Sequence, residues 1–278
     1  MAQIFQRMQA NSRRDSMTFS TLTYEKQDRI ATATFTRPKA LNAIDEARLA
    51  DLERVLDDAE TDESIGALII TGTGRAFCVG LDLGLLERAF DDVDYFEATV
   101  RRLNAIITRI EKLPIPVIAA INGFTRAGGF EISLGCDFII VADDAKIGDV
   151  HTDAGVVPAC VTMRLKRKVG DQRAKDLLWT ARWLTGQEAV DFGLALKSVP
   201  AASLIAETRA YAASLIDKPR AALAMLKDIM LTAADMPVEA AADYELAGFV
   251  RYMREQPYGR EGYYAFRAGR RPAWKAVA

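Results

Sequence analysis

Two glycine-bearing stretches carry the residues best suited to chemistry. One is Arg75-Ala76-Phe77-Cys78-Val79-Gly80-Leu81-Asp82-Leu83; the other is Ile121-Asn122-Gly123-Phe124-Thr125-Arg126-Ala127-Gly128-Gly129-Phe130-Glu131. In each, glycine falls where an apolar run gives way to a turn, and it lets a ligand approach the main chain closely. Two backbone N–H groups from such turns, aimed at one carbonyl oxygen, stabilise an oxyanion; one donor contributes about 3 kcal/mol. The second stretch adds a carboxylate, Glu131, three residues after Gly128. Next to a thioester, that set polarises the carbonyl and moves a proton, with neither a metal nor a redox cofactor.

The elements that must position these residues follow from apolar spacing. Short β-type runs at 19–25 and 30–35, joined by Lys26-Gln27-Asp28-Arg29, read as a hairpin. Asp45 is placed to cap a helix reaching about residue 59, with Leu49, Leu52, Val55, Leu56 and Ala59 on one face. A buried strand at 67–71 ends at Gly72 and Gly74. A helix at 95–113 carries Val100, Leu103, Ile106, Ile107 and Ile110 as one stripe. Pro114 and Pro116 end it and admit a strand at 117–121. The second glycine stretch opens a helix at 128–135, and a strand at 138–142 follows. Strand–strand–helix recurs in this half, which favours an α/β or mixed (α+β) architecture over all-α.

Beyond about residue 159 the pattern is almost all helical. Thr185-Gly186-Gln187-Glu188 is a capping box. A short strand is expected at 196–199, then helices at about 202–216, 219–232, 237–254 and 259–269. The last carries Tyr263, Tyr264 and Phe266 on a surface that reads as exposed. The expected division is a flexible polar extension at 1–16, a core at 17–200 and a helical region at 201–278. That region packs on the core and on neighbouring subunits, or within one subunit only.

The chain has 278 residues, 50% of them apolar, which suits one large domain or a domain with an appendage. With 36 basic and 38 acidic residues the net charge is −2, so no global field draws nucleic acid or a membrane surface. Cys78, Cys136 and Cys160 are distant in sequence and form no CxxC pair. That argues against a disulfide framework or a zinc cluster and for a reducing cytoplasm. No apolar run reaches the length of a membrane span. Ser12-Arg13-Arg14 looks like the start of a twin-arginine signal, but Asp15-Ser16-Met17-Thr18 follows in place of an apolar segment. A mitochondrial presequence, suggested by Arg7, Arg13 and Arg14 against one acid, is the minor alternative.

Four patches, taken in order, resemble the crotonase (enoyl-CoA hydratase/isomerase) superfamily. They are Arg37-Pro38-Lys39-Ala40-Leu41-Asn42-Ala43 and the segments 76–83, 122–137 and 148–158. The segment 184–193 adds to them, as does the ending Phe266-Arg267-Ala268-Gly269-Arg270-Arg271-Pro272-Ala273-Trp274-Lys275. The resemblance covers nearly all the chain after about residue 18. It implies a crotonase-like spiral of ββα turns with a C-terminal helical region, assembled as homotrimers or as hexamers built from two trimers. It implies an acyl-CoA thioester as substrate and an enolate-like anion, with coenzyme A part of the substrate and no separate cofactor or metal.

By motif position the resemblance makes the N–H groups of Leu81 and Gly128 the oxyanion-hole donors. Glu131 matches the first of two catalytic glutamates in the family's hydratases, where it activates water for addition at the β-carbon. The competing reading of Glu131 is a helix-terminal charge that favours the dipole. Lys39 and Ala40 resemble the stretch that lines the adenine and pantetheine, and Asp82 fixes the loop beside the first donor. Arg271, Trp274 and Lys275, with Arg270, are implied to reach the phosphates and cover the adenine; a solvated basic terminus is the alternative.

The departure is at His151, the only histidine, in Ile147-Gly148-Asp149-Val150-His151-Thr152-Asp153. Hydratases of the family hold their second glutamate there, which handles the α-carbon proton. Imidazole gives or takes a proton near neutral pH, so His151 either replaces that carboxylate, marks a lost or changed activity, or is structural. Asp149 and Asp153 flank it and read as solvated loop carboxylates, with orientation of the imidazole as the alternative. Pro158-Ala159-Cys160-Val161 replaces a glycine-rich turn, and Cys160 reads as a packing residue.

The leading expectation is an enoyl-CoA hydratase-like lyase. Alternatives on the same fold are a thioester hydrolase, an isomerase, and a catalytically impaired acyl-CoA-binding protein. Isomerisation is disfavoured because family isomerases keep a glutamate at the His151 position. A dinucleotide-binding dehydrogenase is not supported, since no GxGxxG follows the first strand. The depth of the acyl pocket falls to Leu85, Leu86, Phe90 and residues 92–100.

Overall fold

The structure, a computed structural model, describes residues 18–274. The extension at 1–16 and Lys275 lie outside the described residues.

A six-stranded sheet runs in the order β1-β2-β3-β5-β7-β10, and a four-stranded sheet in the order β4-β6-β8-β9. The first sheet holds β1 (Leu22–Gln27), β2 (Ile30–Phe35), β3 (Ala67–Gly72), β5 (Val117–Ile121), β7 (Phe138–Ala142) and β10 (Lys197–Val199). The second holds β4 (Ala76–Cys78), β6 (Phe124–Thr125), β8 (Lys146–Ile147) and β9 (Leu184–Thr185). The β1–β2 pair is antiparallel and turns through Asp28 and Arg29, both at positive φ. This is the conformation a two-residue hairpin requires. From β2 to β10 the large sheet is parallel, and β3 and β5 are buried along nearly their whole length. Strands covered on both faces read as continuous apolar runs, as 67–71 and 117–121 do.

The spiral comes from repetition. From β3 the chain turns into β4, then passes through α2 (Leu83–Asp91) and α3 (Val93–Lys112) to β5. It turns again into β6, passes α4 (Ala127–Gly135), and returns as β7. A third turn gives β8, α5 (Thr162–Val169) and α6 (Asp171–Thr180). Each pass lays one strand beside its predecessor in both sheets, which stacks the bends at 79–82 and 126–128 side by side.

Local chemistry sets the helices. Before α1 (Glu46–Thr61), the Asp45 carboxylate accepts the Arg48 N–H at 2.8 Å, the expected cap. Leu49, Leu52, Val55, Leu56 and Ala59 are buried on its inner face. In α3 the buried stripe is Leu103, Ile106, Ile107 and Ile110. Thr185 and Glu188 form the capping box of α7 (Gly186–Asp191). The structure adds α2, which 95–113 did not anticipate; Asp82 caps it through the Gly84 N–H. It also adds the short strands of the second sheet, whose two or three residues are too few to show a period.

Of the C-terminal helices, α8 (Leu204–Ile216) packs on β3, β5 and β7 through its buried Leu204, Thr208 and Ala212. Cover of the large sheet thus continues past residue 200. In contrast α9 (Arg220–Thr232), α10 (Val238–Glu255) and α11 (Tyr258–Arg267) bury only Gly248 and Ala265. Lys227 fastens α9 to the core, reaching Asp137 at 2.8 Å and donating to the Ile110 and Ile115 carbonyls. Among the described residues no helix is long and apolar enough to cross a membrane.

Candidate active site

The site is built where β4 and β6 end. The strands run parallel, and Arg126 N–H crosses between them to the Cys78 carbonyl at 3.1 Å. Gly129 fits because a side chain there would strike the Cys78 carbonyl, 2.1 Å from an ideal Cβ. Gly80 has φ +99°, and a Cβ on it would lie 2.8 Å from that of Ala127 and 3.1 Å from the Gly128 nitrogen. The two bends are therefore in contact, and glycine allows it.

Neither main-chain N–H has an acceptor among the described residues. Ile44 donates to the Gly80 carbonyl and accepts the Asp82 N–H, each at 2.8 Å. A trans peptide points its N–H opposite to its carbonyl, so the Leu81 N–H turns away from Ile44. Gly128 is the second residue of α4 and has no helical acceptor. Neither N–H donates a hydrogen bond to a described residue. The positive end of the α4 dipole adds to the attraction for negative charge.

Glu131 lies one turn into α4 and is buried. One carboxylate oxygen accepts the Cys160 N–H at 3.2 Å. Burial pushes its carboxyl above the ordinary range; the His151 charge and the Cys160 N–H pull the other way without cancelling it. Cys160 is itself buried, as expected of packing. Burial, with the Glu131 charge, drives its thiol up to about 12, so it is no thiolate nucleophile. Its backbone contact to Glu131 had no signal in the sequence, since it depends on where the 158–161 turn lands.

His151 stands in the loop after β8 and shares an electrostatic environment with Glu131. Its Nδ1 lies 2.8 Å and 3.0 Å from the two carboxylate oxygens of Asp149, and its own N–H donates to the same group at 2.9 Å. Asp149 is fully buried, so the expectation of a solvated loop carboxylate is corrected: the turn folds it beneath the imidazole. Asp153 is exposed, as expected. Burial works against a charge on His151, but the Asp149 hydrogen bond, the Asp149 charge and the Glu131 charge outweigh it and hold the ring above its usual value. Arg126, just before α4, stacks on Trp183 with 4.4 Å between guanidinium and ring centroid, within the electrostatic reach of Asp153 and Asp149. Sequence reading passed over it.

The residues assigned to coenzyme A fall in two places. Asp82 pairs with Arg37 at 3.1 Å, and Arg37 also holds Asp45 and the Ala43 carbonyl. This ties the first bend to the short helical turn Pro38–Ala40 that carries exposed Lys39 and half-buried Ala40. Trp274 lies elsewhere: its indole N–H donates to the Asp217 carbonyl at 2.9 Å and its ring meets Tyr258 edge-on. Asp217 follows Ile216, the last residue of α8, which accepts from Arg29 and packs on Gly66 at the starting ends of β2 and β3. Lys39 and Asp82 are at the far ends of those strands, so one chain does not bring Arg271 and Trp274 to them.

Comparison with known proteins agrees with this architecture. A family model described as enoyl-CoA hydratase/isomerase matches residues 25–277. The crotonyl-CoA hydratase of Syntrophomonas wolfei is 31% identical over 236 residues, 84% of this chain and 90% of that protein. The short-chain-enoyl-CoA hydratase of Clostridium acetobutylicum is 30% identical over 237 residues, 84% of this chain and 89% of that protein. Among solved structures, an enoyl-CoA hydratase of Mycobacterium smegmatis superposes with a TM-score of 0.87 at 31% identity, covering 92% of this chain and 99% of that one. The fold is that of the crotonases. The chain belongs to the enoyl-CoA hydratase/isomerase family.

Proposed function

We propose that the protein is an enoyl-CoA hydratase-like lyase that adds water across the double bond of a 2-enoyl-CoA thioester. One observation carries the reading: the bends bearing Leu81 and Gly128 touch, and their N–H groups donate to no other described residue. The thioester oxygen sits against these donors and takes up charge as the enolate forms. Glu131 removes a proton from water while the water oxygen bonds to the β-carbon. The π electrons move onto the thioester as an enolate, and His151 returns a proton to the α-carbon. Glu131 then holds one proton more and His151 one fewer, and exchange with solvent restores both.

Lys39, Ala40 and the Arg37-braced Asp82 loop form the coenzyme A edge of this site. Arg271 and Trp274 take part through a neighbouring copy. The exposed Leu226, Met230, Phe249, Tyr263 and Phe266 support a homotrimer or hexamer, since apolar patches of this kind mark association surfaces. Three buried free cysteines support a cytoplasmic location. The test is loss of the conjugated enoyl-thioester absorbance on a panel of 2-enoyl-CoAs; no turnover at any chain length overturns the reading. The buried Asp149 beneath His151 favours one second reading, thioester hydrolysis with His151 as base toward water. Release of free thiol from saturated acyl-CoA separates the two.

A further inference from the structure

We propose that Asp149 is a positioning residue that takes the Nδ1–H of His151, leaving Nε2 as the single nitrogen that passes a proton to the substrate's α-carbon. The inference rests on the reading of His151 as the acid, and it assigns the residue that fixes which ring nitrogen does that work.

The geometry is restrictive. Asp149 receives both the main-chain N–H and the ring Nδ1 of His151, all within 3.0 Å. Among the described residues it accepts no other hydrogen bond. A carboxylate offers acceptors only, so the ring hydrogen in this contact belongs to Nδ1. Turning the ring over would leave a wholly buried carboxylate with one donor, a state that desolvation makes costly. A buried acid whose side chain serves one imidazole is the arrangement that selects a tautomer and an orientation.

The charged groups around the ring agree with an acid. From its own loop come Asp149, and Asp153 at the surface; from α4 comes Glu131; ahead of α4 stands Arg126, whose charge both aspartates favour. From α5 the Arg164 charge favours an ionised Glu131, while Arg164 itself is paired with Glu111. The Cys160 thiol beside Glu131 stays protonated at neutral pH. The ring thus sees two buried carboxylates, and these hold its proton against the effect of burial.

Because His151 is the only histidine, one labelled ring reports the whole test. Protein grown with 15N-histidine is titrated without substrate, and the long-range 1H–15N spectrum is followed. The expected result is a midpoint above 6.5 and, beyond it, a neutral ring protonated at Nδ1 with bare Nε2. D149N should lower the midpoint by about one pH unit and shift the neutral ring toward the Nε2–H form. It should also lower kcat by about 100-fold with KM nearly unchanged, and D149E should restore part of the loss. A native neutral ring carrying its proton on Nε2 overturns the proposal, and so does a D149N titration identical to the native one. The native spectrum decides even where D149N does not fold. An Nδ1–H ring in a protein with no turnover on any 2-enoyl-CoA would sink the hydratase reading alone.

Discussion

Glu131 and His151 make opposite demands on pH. Turnover by the proposed route needs the first ionised and the second protonated. Burial lifts Glu131 above its ordinary 4.5, against His151 and the Cys160 N–H. Despite burial, Asp149 and Glu131 hold His151 above 6.5. Activity should therefore rise as Glu131 loses its proton and fall as His151 loses its own, giving a bell whose alkaline limb lies above pH 6.5. Glu131→Gln should lower kcat by about 100- to 1,000-fold with the circular dichroism spectrum unchanged. The raised value of His151 also makes the folded state bind that proton more tightly than the unfolded chain. Its stabilisation is complete below about pH 6.5 and is lost as pH climbs through the folded value. The melting-temperature gap between native protein and His151→Asn should accordingly be wider at pH 6 than at pH 9.

At the scale of elements, the contact between two bends matters more than any one side chain. The Gly80 bend is held by Ile44 and by Asp82 with Arg37; the Gly128 bend is held by Arg126 on Cys78. A methyl at position 80 would meet Ala127 and the Gly128 nitrogen, and its φ of +99° disfavours any side chain. Gly80→Ala should thus spread the two donors apart. Steady-state kinetics should show kcat down by about 100-fold and a smaller change in KM, because donor misplacement weakens transition-state contacts first.

For the whole molecule, the question is how three little-buried helices stay attached. Lys227 ties α9 to the core, with Asp137 and two carbonyls as partners. Lys227→Met would leave the half-buried Asp137 carboxylate with the Val117 N–H as its remaining donor and should cost about 2 kcal/mol in urea unfolding. The same helices expose Met230 at 74% and Phe266 at 85%, apolar side chains suited to an association surface. Sedimentation should give three or six times the 30.6 kDa chain mass, and Met230→Lys with Phe266→Glu should shift it downward.

Amino-acid order was enough for most of what depends on local chemistry, with α2 and its Asp82 cap the exception. The caps at Asp45 and Thr185, the inner faces of α1 and α3, the glycine bends and Glu131 in α4 could all be read, because periodicity and turn preference act over a few neighbours. The two-residue strands could not, since they exist only because the spiral stacks them. Nor could the burial of Asp149, the grip of Cys160 on Glu131 or the separation of Trp274 from Lys39. Each of those depends on which surfaces meet after the chain has closed, and a side chain's solvation and partners are properties of that meeting rather than of its neighbours in sequence.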